Sequence, residues 1–257
     1  MAGWNPFPRL GDYAFTASSL QQQWTALHTG DAEPFPDDPA VVGAWVLFHN
    51  GEFQKAALAG LQAGPEGMTV TNKATCIHAN YLEPKEKTRL DLLMEVSARA
   101  EAHQVSQPDN PNAWYLQAYA IGRYSQGISV AKGLAQGLGM RVKASLEQAI
   151  QLSPRHADAH SALAVFHAEV IDKVGTLIGS MTYGARKEIG LALFRESLKL
   201  NPQSAIAMVE YANGMLMLDG EKKMKEATRL YEQAAASRPR DAAEWLGMEV
   251  AKAALAE

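Results

Sequence analysis

Cysteine is almost absent: Cys76 is the only one in 257 residues. That excludes an internal disulfide framework and a cysteine-based zinc cluster, and a lone thiol fits a reducing compartment. Long hydrophobic runs are lacking as well. No window approaches ~18 uninterrupted apolar residues, so no membrane-spanning helix is expected. The opening MAGWNPFPRL has no basic region leading into an apolar run, so no secretory leader is expected and the expected location is cytoplasmic. No stretch of useful length alternates polar and apolar residues, which removes strands from the expectation. Neither sign of charge dominates. Charged residues make 20% of the chain with a net charge of −4, which argues against a disordered polyelectrolyte and against a nucleic-acid partner.

Motifs of chemistry are missing too. Gly127, Gly133, Gly137 and Gly139 cluster, but no Gly-Lys-Ser/Thr follows and no strand precedes, so a phosphate loop is excluded and close helix packing is the reading. There is no Gly-x-Ser-x-Gly elbow and no His-Glu-x-x-His. Cys76 and His78 sit in an ordinary helical pattern and read as buried residues. No cofactor and no enzyme activity are expected.

What is present is helical text. Residues 1–11 are rich in Pro and Gly and read as irregular. Asp12 can cap a helix running to about His28, with Phe15, Leu20, Trp24 and Leu27 as its apolar stripe. DAEPFPDDP, residues 31–39, reads as a proline-stiffened acidic link. Ala40–Asn50 and Glu52–Ala63 predict a helical hairpin turning at Asn50-Gly51, and Met68–Tyr81 with Lys85–Gln104 predict another.

From there the pattern repeats. Pro108, Pro154, Pro202 and Pro239 follow helix ends at spacings of 46, 48 and 37 residues. Five residues before each stands His103, Ala149, Ser197 or Ala234, and eight before stands Ala100, Leu146, Phe194 or Tyr231. Ten residues after the first three come Ala118, Ala164 and Ala212, and six after come Trp114, His160 and Met208. Small residues at one fixed offset let helices approach, while large ones at the other fill the space alongside. Proline just past a helix end stops it and begins the turn.

This register resembles the tetratricopeptide repeat (TPR), whose unit is 34 residues and stacks on its neighbour. The resemblance implies an all-α, TPR-like α-solenoid, a right-handed superhelix of antiparallel helix pairs. Residues 1–39 would be an N-terminal extension with one helix, 40–239 the repeats, and 240–257 a C-terminal capping helix. Against a period of 34, the spacings leave 12, 14 and 3 extra residues. The first two fall between the helices of a unit, near 126–140 (from Gln126 to Met140) and 173–184 (from Lys173 to Gly184). Residues 113–237, with YSQGISVAKGLAQGLGMRVKASLEQAIQLSPRHADAHSALAVF at their centre, also resemble the helical-repeat domain of the regulator of microtubule dynamics family, which has a similar enlarged inter-helix turn.

His156, His160 and His167 lie within about 40° on one helical face and could be metal ligands. However, His160 and His167 occupy the interior offsets of Trp114 and Ile121, so buried core histidines are expected and no metal. Charge placement points elsewhere. Between Ala113 and Leu146 there is no acid, while Arg123, Lys132, Arg141 and Lys143 give +4. Between Lys173 and Lys187, Lys173, Arg186 and Lys187 give +3, again without an acid. Both stretches contain an insertion, which predicts an electropositive, partly apolar ridge for an acidic peptide, an anionic ligand or lipid headgroups. The inner-face candidates include Tyr115, Tyr119, Ser161, Val165 and Asn213, without the basic set of a carboxylate clamp. Tyr115 and Tyr119, one turn apart, could contact a peptide or cover neighbouring helices.

The expected function is a non-catalytic protein–protein interaction scaffold. It would bind a peptide or protein segment through its concave face, its basic insertions or both. Partner-binding candidates are Tyr115, Tyr119, Arg123, Lys132, Arg141, Lys143 and Lys173. The alternative is a small-ligand or lipid carrier with an apolar cavity under the insertions.

Overall fold

In the computed structural model, which describes residues 3–256, every regular element is helical and no strand occurs among the described residues. The first helix, α1 (Ala17–Leu27), begins later than Asp12 would have it. Thr16 is the cap: its hydroxyl accepts from the Ser19 N–H, and the Ser19 hydroxyl accepts from the Thr16 N–H. This reciprocal box satisfies two orphan donors at once, whereas Asp12 pairs with Arg9 in the preceding turn.

Five antiparallel pairs follow. They are α2 (Pro39–His49) with α3 (Phe53–Gln62), then α4 (Met68–Ile77) with α5 (Glu86–Ser106). Next come α6 (Pro111–Ile128), a short α7 (Val130–Ala135) and α8 (Leu138–Leu152). The last two pairs are α9 (Ala157–Tyr183) with α10 (Lys187–Leu200), and α11 (Ala205–Asp219) with α12 (Met224–Ala235). Helix α13 (Ala242–Ala256) closes the chain.

The repeat register has a backbone basis. Gln107, Ser153 and Asn201 each donate an N–H to the carbonyl four residues back, at His103, Ala149 and Ser197. Asn110, His156 and Ser204 then donate to the carbonyls of Gln107, Ser153 and Asn201, closing the same turn three times. Two residues beyond each proline stands the next helix cap: Asn110, His156, Ser204 and Asp241 each accept a backbone N–H through the side chain. Such caps relieve donors that the first helical turn leaves unpaired. Trp114 Nε1 donates to the Pro108 carbonyl at 2.9 Å, and His160 Nε2 donates to the Pro154 carbonyl at 3.0 Å. His160 thus takes the part of an indole N–H one repeat later. Ala118, Ala164 and Ala212 are fully buried or nearly so, as the close approach of helices at that offset requires.

The insertions differ in form. In the first, α7 packs on α6, α8 and α9. In the second, α9 continues to Tyr183 but is broken at Gly175 (φ 80°, ψ 161°), a conformation essentially reserved for glycine. Beyond the break Leu177 and Met181 are 73% and 80% exposed.

Helices α2, α4, α6, α9, α11 and α13 form the inner wall, each packed on the next, and α13 returns to pack on α2. The array therefore closes on itself. Ala242 and Leu246 belong to the same apolar cluster as Phe7, Trp24, Trp45 and Phe53. Phe7 meets Trp245 edge-on with ring centroids 5.3 Å apart. Apolar burial thus joins the two ends of the chain.

Candidate functional site

The ring of inner helices surrounds a central cavity of about 230 Å³. Its wall has an apolar part and two charged parts. The apolar part lies under α7, where Leu134, Val142, Leu146 and Phe166 meet. Cys76 also faces the cavity, but burial pushes its thiol up to about 12, which leaves it unreactive.

One charged part is built on α6. Tyr115, Tyr119 and Arg123, one turn apart in series, all face the cavity. The two phenol rings are tilted with centroids 6.1 Å apart, and the Arg123 guanidinium lies 5.3 Å from the Tyr119 ring centre. Arg123 reaches across to Glu210 on α11 at 2.5 Å and to Gln126 at 3.0 Å. Gln126 in turn donates to Glu169 on α9 at 2.7 Å. Burial raises both tyrosine hydroxyls well above their ordinary value, so they act as neutral donors and acceptors. Burial likewise raises Glu169 to about 7.

The other charged part is where the chain ends meet, and the segment read as a link builds it. Asp31 is buried and binds both Lys73 on α4 and His28, whose Nδ1 donates to it at 2.9 Å. Burial alone would raise Asp31, but His28 and Lys73 hold it well below the usual carboxylate range. His28 Nε2 faces His49 Nε2 at 3.2 Å, so one hydrogen must lie between the two rings. Burial lowers His28 to about 4 despite Asp31. His49 Nδ1 then donates to Asp241 at 2.6 Å. Asp158 completes this wall: its backbone N–H donates to the Gly30 carbonyl at 3.0 Å, and burial raises its carboxyl to about 6. A β-carbon at Gly30 would lie 2.5 Å from Asp158 Oδ1, so any larger residue there would have to displace this carboxylate.

The seven sequence candidates therefore divide. Tyr115, Tyr119 and Arg123 come together in the cavity, while Lys132, Arg141, Lys143 and Lys173 do not. Arg141 pairs with Glu101, Lys143 with Glu147 and Lys173 with Asp172. Lys187 pairs with Asp219. Lys132 is exposed on α7 and has no acidic partner among the described residues. The basic excess counted along the sequence is offset by acids from other helices (Glu101, Glu210, Asp219) and by acids just outside the two stretches (Glu147, Asp172), and the ridge expected from it is largely neutralised. Asn213 faces α12 and accepts from the Tyr231 hydroxyl, so it leaves the inner-face set. Ser161 and Val165 line the cavity.

The three histidines are spent separately. His156 caps α9 and donates from Nε2 to Asn112 at 2.9 Å, His160 binds the Pro154 carbonyl, and His167 Nδ1 accepts from the Arg186 N–H at 3.0 Å. No group of three or more potential metal ligands gathers among the described residues. Asp31, His49, Lys73, Asp158, Glu169, Glu210 and Asp241 were not foreseen as site residues. The offset of two from each proline marks Asp241 as a cap. Nothing local marks Asp31 or Lys73.

A ring of helix pairs with this register is a TPR-like α-solenoid. Among solved structures the chain is similar to a thermophilic TPR protein of Thermus thermophilus, with a TM-score of 0.57 and 16% identity. The match covers 83% of this chain and 97% of that one. No protein-family profile matches the chain, and no curated protein matches it in sequence. No helix among the described residues is long and apolar enough to cross a membrane.

Proposed function

We propose that the protein is a non-catalytic interaction scaffold that receives a segment of a partner protein in the cavity at its centre. The observation that carries this reading is the inner wall itself. Tyr115 and Tyr119 on α6 line the cavity, and beside them the Arg123–Glu210 ion pair joins α6 to α11. Preformed concave sites with an apolar floor and a few convergent polar groups are the usual form of binding sites. The TPR-like fold supports the same class of function. Lys132 and the paired cations Arg141, Lys143 and Lys173 would act at the outer rim, as secondary contacts for a partner already seated.

Closure of the ring favours a second reading, a small-ligand or lipid carrier, because the apolar wall at Leu134, Val142, Leu146 and Phe166 lies inside the cavity. One substitution tests both. Val165→Trp fills the cavity from α9 and leaves the outer surface unchanged. A partner protein captured by the wild type and lost by Val165→Trp supports the scaffold. A small molecule carried through purification by the wild type alone, seen by native mass spectrometry, supports the carrier. Equal capture by both proteins refutes a central site.

A further inference from the structure

Six carboxylates face the cavity: Asp31, Asp158, Glu169, Glu210, Asp241 and Glu244. Four of them have a basic partner: Asp31 binds Lys73, Glu210 binds Arg123, Asp241 binds His49, and Glu244 binds Arg240. Asp158 and Glu169 are left with no ion-pair partner among the described residues. Both lie on α9, and so do Ala162 and Val165, which also face the cavity between them. Offsets of four, seven and eleven put these residues on one helical face, with the two acids about 16 Å apart along the axis. The stripe reads acid, apolar, apolar, acid.

Two hydroxyls open onto the same stretch. Tyr115 and Ser161 are only 9% and 8% exposed, both line the cavity, and neither hydroxyl has a hydrogen-bond partner among the described residues. Neither oxygen is sealed off, so each opens onto the cavity and offers a donor and an acceptor to whatever occupies it.

We propose that the central cavity binds a flexible dication, two ammonium groups joined by an aliphatic stem, with one ammonium on Asp158, the other on Glu169, and the stem along Ala162 and Val165. Allowing an ordinary charge-assisted contact at each end, the two nitrogens would stand about 10 Å apart. The inference rests on the central-site reading above and adds the charge and length of what is bound. It also reverses the sign expected from the basic insertions. A free aliphatic diamine and a peptide with two lysines three residues apart both have this chemistry.

The experiment is calorimetric titration of the full chain at low salt. Its probes are 1,7-diaminoheptane, octylamine, and blocked peptides Lys-Leu-Leu-Lys, Gln-Leu-Leu-Gln and Glu-Leu-Leu-Glu. The expected result is that 1,7-diaminoheptane or the lysine peptide binds at least about tenfold more tightly than octylamine, one further charge contact being worth about that factor. Asp158→Asn and Glu169→Gln should each lower that affinity by about tenfold, and Val165→Trp should abolish it. Whichever of the two probes binds more tightly names the source. These amides remove buried, unpaired charge, so both variants should fold at least as well as the wild type, which circular dichroism checks. Failure of both dications to bind, or equal binding by the Asp158→Asn/Glu169→Gln double variant, overturns the inference. If the glutamine or glutamate peptide binds instead and is lost with Val165→Trp, the central site stands and only the charge assignment falls. If no probe is affected by Val165→Trp, both fall.

Discussion

Asp241 accepts a hydrogen bond from His49 at 2.6 Å, although 192 residues separate the two. The same carboxylate caps α13, its other oxygen accepting from the Glu244 N–H at 2.7 Å. One side chain therefore starts the last helix and fastens it to the first repeat.

Separating those two roles gives the first prediction. Asp241→Ser keeps an oxygen for the cap and removes the contact with His49, whereas Asp241→Ala removes both. Breaking one partner of a buried pair is destabilising by about 3 to 5 kcal/mol, and loss of a cap adds about 1 kcal/mol. Chemical denaturation should rank wild type above Asp241→Ser above Asp241→Ala. Hydrogen exchange should show α13 and α2 losing protection together. If α13 alone loosens, the ring is not held at this point.

Glu169 supplies the second. Its folded value of about 7 stands above its ordinary 4.5, so the folded chain holds a proton that the unfolded chain has released within that window. Its contribution is therefore unfavourable above pH 7, and stability falls as pH rises from 4.5 to 7. Glu169→Gln should match the wild type below pH 4.5 and exceed it by about 3 kcal/mol above pH 7. Urea midpoints across that range check it, and a constant difference at all pH values would contradict it.

The third concerns a close approach of backbones. A β-carbon at Gly67 would lie 2.0 Å from the Gly60 carbonyl oxygen, a backbone atom that cannot swing aside. Gly67→Ala should force α3 and α4 apart and cost about 1 to 3 kcal/mol, the usual range for overpacking. Thermal unfolding of the variant measures this, and an unchanged midpoint would show that the contact yields freely.

The fourth is a gain. Ser129, between α6 and α7, has φ 82° and ψ 134°, in the region that favours glycine. Its hydroxyl caps α7 by accepting from the Lys132 N–H at 3.3 Å. Strain of this kind costs about 1 to 3 kcal/mol, while replacing a serine cap by glycine loses only a few tenths. Ser129→Gly should therefore stabilise the chain by about 1 kcal/mol in denaturant titration.

The repeats were legible because their signals are local and recur. Pro108, Pro154 and Pro202 recur with the same turn bonding, and Ala118, Ala164 and Ala212 mark the tight face. Part of the candidate site was legible for the same reason: Tyr115 and Tyr119 fall on the inner face once the register is known, whereas Arg123 stands out in sequence only as one of the basic residues around the first insertion. The sign of charge at the site was not. Arg141 looks free in sequence but meets Glu101, 40 residues away, and Arg123 meets Glu210, 87 residues away. A linear count cannot see a neutralising partner that arrives from another helix.

The amino-acid order by itself determined the helices, their caps and the stacking of one couple on the next, since hydrogen bonds and contacts within about one repeat decide these. Only the tertiary structure decided that the stack bends round until α13 meets α2, that Asp31 turns inward to Lys73, and that Asp158 and Glu169 are left without an ion-pair partner among the described residues. Small rotations between successive units accumulate around the array. Whether they sum to a closed ring depends on the packing of every interface at once, and no short stretch of sequence encodes that sum.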